Sequence, residues 1–257
     1  MNTTKSLVLI ILAAFSTSVC AQELNLMKAE NHPMQYYVSL PQGWTKAKQW
    51  PVVVVLESAS KEYKKNAELF ATARGQMPFI MVAPINTNNG SQGRRDPSLF
   101  PYSNETWDYM EKVGDCTFNN EGLQSIIKEV TVKYNGEPRV YITGFEAGAH
   151  ALWSIVFNYP ELLYAAAPVA GNYRGRCVEP SKISKDPSRV NLPIRSFKGG
   201  KGAPISPLIE QWKEVKQIAE SNGYKNISEQ EVSEKNHEPM PAEVLSYFQE
   251  LLTTRKK

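Results

Sequence analysis

The chain has 257 residues, 42% hydrophobic and 21% charged, a balance that suits a folded globular protein and excludes a disordered tail or a fibre. Lys and Arg number 29 against 26 Asp and Glu, and the net charge of +3 is spread along the sequence. No field for nucleic acid or an anionic membrane is implied, and no nucleic-acid partner is expected.

Taken from the start, Lys5, the apolar run Leu7 to Phe15 and Val19-Cys20-Ala21 read as a cleaved secretory signal over residues 1–21. The run falls short of the roughly 20 apolar residues that a membrane-spanning helix needs, and no later segment reaches that length. A secreted or periplasmic protein without a transmembrane segment is the expectation. Lipidation at Cys20 ranks second, because Val19 stands where the acceptor motif wants Gly, Ala or Ser. Cleavage after Ala21 leaves Cys116 and Cys177 in an oxidising compartment. A disulfide between them and two unpaired thiols are both open, since spacing along the chain carries no distance. Neither cysteine has a partner at metal-ligand spacing, so no metal and no other cofactor is implied.

Beyond the signal, β-branched apolar runs alternate with helical patterns, which reads as one domain over residues 22–257. Strands are expected at Met34 to Leu40, Pro51 to Leu56, Phe79 to Ala83, Arg139 to Thr143, Tyr164 to Ala170, Pro193 to Phe197 and Ile227 to Val232. The four valines of Pro51 to Leu56 fit a central strand covered on both faces. Helices are expected at Glu62 to Arg74, Asn120 to Tyr134, from the end of the fourth strand to Asn158, Pro207 to Ser221 and Pro241 to Leu252. The alternation predicts an α/β fold, a mostly parallel central sheet with helices on both faces. Asn86 to Thr106 lacks periodicity and reads either as a pocket-shaping loop or as a surface excursion. Trp107 and Tyr109 beyond it read as core before pocket. His32 reads as a surface residue, and Arg255-Lys256-Lys257 as a solvated tail.

The informative segment is Val140 to Gly148, VYITGFEAG, a strand running into Gly144-Phe145-Glu146-Ala147-Gly148 and then an apolar helix. This is the strand, sharp turn and helix of a nucleophile elbow, where small flanking residues let strand and helix pack close around a strained central residue. The central residue is Glu146, where the active version carries Ser.

With that elbow, residues 34–252 resemble the secreted α/β-hydrolase esterases of the polyhydroxybutyrate-depolymerase and feruloyl-esterase type. The matching stretches are PRVYITGFEAGAH (Pro138 to His150), NYPELLYAAAPVAG (Asn158 to Gly171), the run before Gly199, and NHEPMP (Asn236 to Pro241). The resemblance implies an α/β-hydrolase fold and a Ser, His and acid triad, with a small-molecule or carbohydrate-linked ester as ligand. The nucleophile position falls on Glu146, and the acid position on Gly202 within RSFKGGKGAP. Only the histidine position, His237, is retained. The oxyanion positions fall on Ala147 and on Glu57-Ser58, where that family has a His-Gly stretch. Without Ser no acyl-serine intermediate forms, and an anion at the helix N-terminus competes with a developing oxyanion for the same donors.

Three readings follow from that departure. The first is an esterase-family scaffold that binds a ligand without turning it over. The second is a carboxylate-nucleophile hydrolase of the epoxide type, with Glu146 attacking carbon and His237 activating water, or an ester hydrolase with a non-standard triad. The third, ranked last, is a metal held by Glu146, His150 and His237, the first two being four residues apart and so on one helix face. A buried core histidine is the plainer reading of His150. Asp186, Glu179 and Glu234 are acids free to stand in behind His237, and nothing in the sequence picks one. Gly199-Gly200-Lys201-Gly202 lacks the Ser or Thr of a phosphate-binding loop and reads as a flexible turn in place of the acid loop.

Overall fold

The computed structural model describes residues 23–171, 173–201 and 205–255, the side chain of Ser206 excepted. The expected leader over residues 1–21, with Cys20, and the acid position Gly202 lie outside the described residues.

The strands are β1 (Asn25–Lys28), β2 (Gln35–Ser39), β3 (Trp50–Leu56), β4 (Ile80–Pro84), β5 (Gly136–Phe145), β6 (Leu163–Val169), β7 (Ile194–Gly199) and β8 (Ile227–Val232). They form one sheet in the order β1-β2-β4-β3-β5-β6-β7-β8. The two pairings of β2, with β1 and β4, are antiparallel, and every pairing from β4 to β8 is parallel. The helices are α1 (Tyr63–Arg74), α2 (Asn104–Val113), α3 (Asp115–Tyr134), α4 (Ala147–Asn158), α5 (Ser206–Ser221) and α6 (Pro241–Arg255).

Why β3 is central is visible in its residues. All of Trp50–Leu56 is buried, and its alternating side chains feed two different cores. Val52, Val54 and Leu56 join Leu123, Ile126, Leu152, Trp153 and Val215 of α3, α4 and α5. Val53 and Val55 join Ala67, Phe70, Val244, Leu245 and Phe248 of α1 and α6. A strand with period-two side chains and helices on both faces needs apolar residues at every position, which the valine run provides. At the far edge, β8 (ISEQEV) carries exposed polar residues, and Lys198 of β7 pairs with Glu229 and Glu231. Charge on an edge strand discourages pairing with another chain.

The expected strands and helices are all present with small changes of boundary, and among the described residues one further strand and one further α-helix appear. β1 is short and largely exposed, so it carries no burial pattern to read. α2 begins inside the aperiodic stretch, where the Ser103 hydroxyl caps it by accepting the Thr106 N–H at 3.3 Å. Trp107 is core, whereas Tyr109 is part-exposed. Asn86, Thr87, Asn88 and Asn89 are buried, so this part of the stretch is an internal strap, not a surface excursion.

Three expectations are corrected. His32 is buried, 7% exposed, its Nδ1 accepting the Met34 N–H and its ring packed on Phe118 at 4.7 Å. Room exists because α3 carries Gly122 there: a Cβ on Gly122 would stand 2.9 Å from the His32 ring. Arg255 is no loose tail, since it closes α6 by forking onto both oxygens of Glu137, at 2.7 and 2.8 Å, and stacking on Tyr164. Gly199 to Lys201 extend the β7–β8 pairing, with Gly200 N donating to Val232 O and Lys201 N to Lys235 O, instead of forming a free turn. Cys116 and Cys177 form a disulfide, with their Cα atoms 5.3 Å apart.

Candidate functional site

β5 ends at Phe145 and α4 begins at Ala147, so the whole reversal is made by one residue. Glu146 takes φ 49° and ψ −112°, left-handed backbone that an L-residue with a long side chain rarely adopts. The turn is held by the close approach of its glycines. A Cβ on Gly144 would lie 2.5 Å from Gly148 O, and one on Gly148 would lie 2.5 Å from Leu56 O of β3. These are backbone atoms of α4 and of the central strand β3, and they cannot yield cheaply.

His237 arrives from the loop between β8 and α6, and a second glycine contact brings it in. A Cβ on Gly199, at the end of β7, would stand 2.1 Å from Asn236 O. Bare backbone on β7 therefore lets the 235–237 segment lie directly on the strand end. The His237 ring packs on Phe145 at 5.0 Å, and its Nε2 lies 2.5 Å from Glu146 Oε1. Both side chains are about one-third exposed, at 34% and 35%.

Among the described residues no carboxylate reaches His237 Nδ1. Asp186 instead takes the Ser188 N–H, Glu179 pairs with Lys182, and Glu234 pairs with Lys201. The retained histidine and the substituted nucleophile thus bind one another. An imidazole nitrogen that donates its proton to a carboxylate has no lone pair left with which to act as a base.

Glu57 and Ser58 follow β3 on the near side of the elbow. Glu57 is buried, and its Oε1 collects the Ser58 hydroxyl at 3.1 Å, the Ser60 hydroxyl at 2.6 Å and the Glu62 N–H at 3.2 Å. Burial holds its carboxyl above the ordinary range, while those hydrogen bonds pull the other way. Asn89 clamps this turn from behind, its amide donating to Glu57 O and Ser58 O. Ser58 is bonded to Glu57 and Ser60 and to no imidazole.

Glu146 stands between two hollows. One, of about 560 Å³, is lined by Glu57, Ser58, Ser60, Phe145 and Pro239. The other, of about 940 Å³, is lined by Ala147, His150, Arg174, Arg176, Leu208 and Gln211 among others. His150 lies one turn into α4, and burial first, then the charges of Arg174 and Arg176, bring its imidazole down to about 4. Its Nδ1 is buried and has no hydrogen-bond partner among the described residues. Among the described residues no three His, Cys, Asp or Glu side chains are grouped to hold a metal, so Glu146, His150 and His237 do not form such a set. The two arginines escaped sequence reasoning. The Arg174-Gly175-Arg176 string before Cys177 was its only trace there, and nothing local ties it to Glu146.

No protein-family model matches the chain, and no curated protein matches it. Solved structures do. A poly(3-hydroxybutyrate) depolymerase from Bordetella parapertussis superposes with a TM-score of 0.58 at 15% identity, over 91% of this chain and 91% of that one. A dienelactone hydrolase from Anabaena variabilis gives 0.56 at 14% identity, over 91% and 97%. The chain has the α/β-hydrolase fold. Esterase 2 of Thermogutta terrifontis, in a form phosphorylated by paraoxon, gives 0.54 at 16% identity, over 92% and 95%. The site just described accordingly sits where an α/β-hydrolase fold carries its elbow. Among the described residues no helix is long and apolar enough to cross a membrane.

Proposed function

We propose that this chain is an esterase-type α/β-hydrolase scaffold without serine-esterase activity, which binds a small ester-like ligand and does not turn it over. The reading covers residues 22–257 as one exported domain released from a leader over residues 1–21. The single supporting observation is the 2.5 Å contact between Glu146 and His237. It joins the two groups that would have to act on a substrate, leaves no hydroxyl beside the imidazole, and puts a carboxylate where an ester carbonyl would dock. The Cys116–Cys177 disulfide supports export, because such bonds persist in oxidising compartments.

The same contact weighs against the epoxide-type reading. There His237 must activate water, yet its Nε2 is taken by the nucleophile itself and among the described residues no second acid supports Nδ1.

Hydrolysis of a short-chain aryl ester tests the proposal. The natural protein is expected to remain at the uncatalysed rate. Glu146→Ser combined with Gly202→Asp is expected to gain serine-type activity that a phosphonate inhibits. Phosphonate-sensitive turnover by the natural protein would overturn the proposal, and epoxide turnover abolished by Glu146→Gln would establish the other reading.

A further inference from the structure

The larger hollow beside Glu146 is unevenly charged. Its lining includes Arg174 and Arg176 against a single carboxylate, Glu146, which is bonded to His237 and pairs with neither arginine. Arg174 forms no ion pair or hydrogen bond among the described residues, and both arginines are exposed. Arg176 is aimed by its Nη1 donating to Asn88 O at 3.0 Å, and by the neighbouring Cys177, which is tethered to α3. That bond uses one of the five guanidinium N–H groups and leaves the others for a ligand. Gly175, at φ 64°, makes the tight turn between the two arginines, both of which line the one cavity.

Gln211 and His150 line the same cavity. Gln211 spends its Oε1 on the Tyr173 N–H, which leaves its NH₂ for the cavity. The pKa of the His150 imidazole is lowered first by burial and then by the charges of Arg174 and Arg176. Two guanidinium groups without carboxylate partners repel one another and gain from an anion placed between them. Ile205, Pro207 and Leu208 at the start of α5 add apolar lining to the same cavity.

We propose that this cavity binds an amphipathic organic carboxylate, its anionic head between Arg174 and Arg176 and its apolar body along Ile205 and Leu208. The proposal rests on the ligand-binding reading above and names the ligand class. It also fits the loss of turnover, because a carboxylate is what ester hydrolysis would release and is itself inert to acyl transfer.

Calorimetric titration of the purified protein with 4-phenylbutyrate and with the neutral 4-phenylbutan-1-ol tests it. The carboxylate is expected to bind at least tenfold more tightly than the alcohol. Raising the salt concentration is expected to shrink that ratio. Arg174→Gln is expected to weaken the carboxylate at least fivefold and to leave the alcohol and the Tm unchanged. Adding Arg176→Gln should bring the ratio close to one; if that second change lowers the Tm, Arg174→Gln alone decides. Equal binding of the two probes to the natural protein overturns the anion assignment and leaves a ligand-binding cavity in place. Failure of both probes to bind overturns the carboxylate assignment, while the ligand-binding reading is judged separately by binding of the aryl ester. Ester turnover with the carboxylate preference intact would remove only the claim of inactivity.

Discussion

At Glu146 the backbone is held at a positive φ although the residue has a long side chain. Left-handed backbone at a non-glycine residue costs on the order of 1–3 kcal/mol, and the surrounding sheet and helix enforce it here. The part-exposed contact with His237 returns about 0–1 kcal/mol. His150, one turn away, is the residue whose protonation reports on the cavity. Its imidazole is held at about 4 against an ordinary 6.5, by burial and then by Arg174 and Arg176. Between those two values the unfolded chain binds the proton and the folded chain does not, so the stability tied to this group is complete above pH 6.5 and is lost as the pH falls toward 4. His32, lowered by its own burial, acts in the same direction. Thermal unfolding followed from pH 7 to pH 4 is expected to show a falling Tm, with a shallower slope in His150→Gln. Equal slopes in the two proteins would mean that His150 titrates normally in the folded state.

Among the elements, the junction of β5 with α4 tolerates least. Gly148 packs against Leu56 O of β3 with no space for a methyl group, so α4 can only start where it does if this position lacks a side chain. Gly148→Ala is expected to lower the unfolding free energy by about 1–3 kcal/mol, measured by urea titration, through displacement of α4 from the sheet. An unchanged midpoint would show that helix and strand separate easily there. Gly144 and Gly148 were legible in the sequence as an elbow, because glycine on both sides of a strand-to-helix turn has few other uses. Gly199 was not. Its role is to let the backbone of Asn236 approach, and that neighbour is distant in sequence.

Across the molecule, the parallel strands point their carboxyl ends at one face, and every group of the site follows such an end. Glu57 follows β3, the Asn86 to Asn89 strap follows β4, Glu146 follows β5, Arg174 and Arg176 follow β6, and His237 follows β8. Ligands in open α/β sheets are expected at that face. The Cys116–Cys177 bond braces it by joining the start of α3 to the loop that carries both arginines. With its ends 61 positions apart, the crosslink restricts the unfolded chain by about 4 kcal/mol on a chain-entropy account. Replacing both cysteines by serine is expected to cost about 2–4 kcal/mol in urea unfolding. A change below about 0.5 kcal/mol would show that the brace is energetically idle.

The strands from β2 onward and the helices other than α2, the buried centre of the sheet, the elbow and the absence of a serine from it were all legible in the sequence alone. Each rests on side-chain periodicity or on residues adjacent in the chain, where local physics is sufficient. Only the tertiary structure decided that Glu146 closes onto His237 across 91 residues, that His32 is buried beneath α3, that the disulfide forms, and that two arginines share the cavity with His150. Those facts depend on where loops carry side chains after the sheet has assembled. Loop paths are set by close backbone approaches and by a crosslink between distant segments, which leave no periodic mark in the order of the residues.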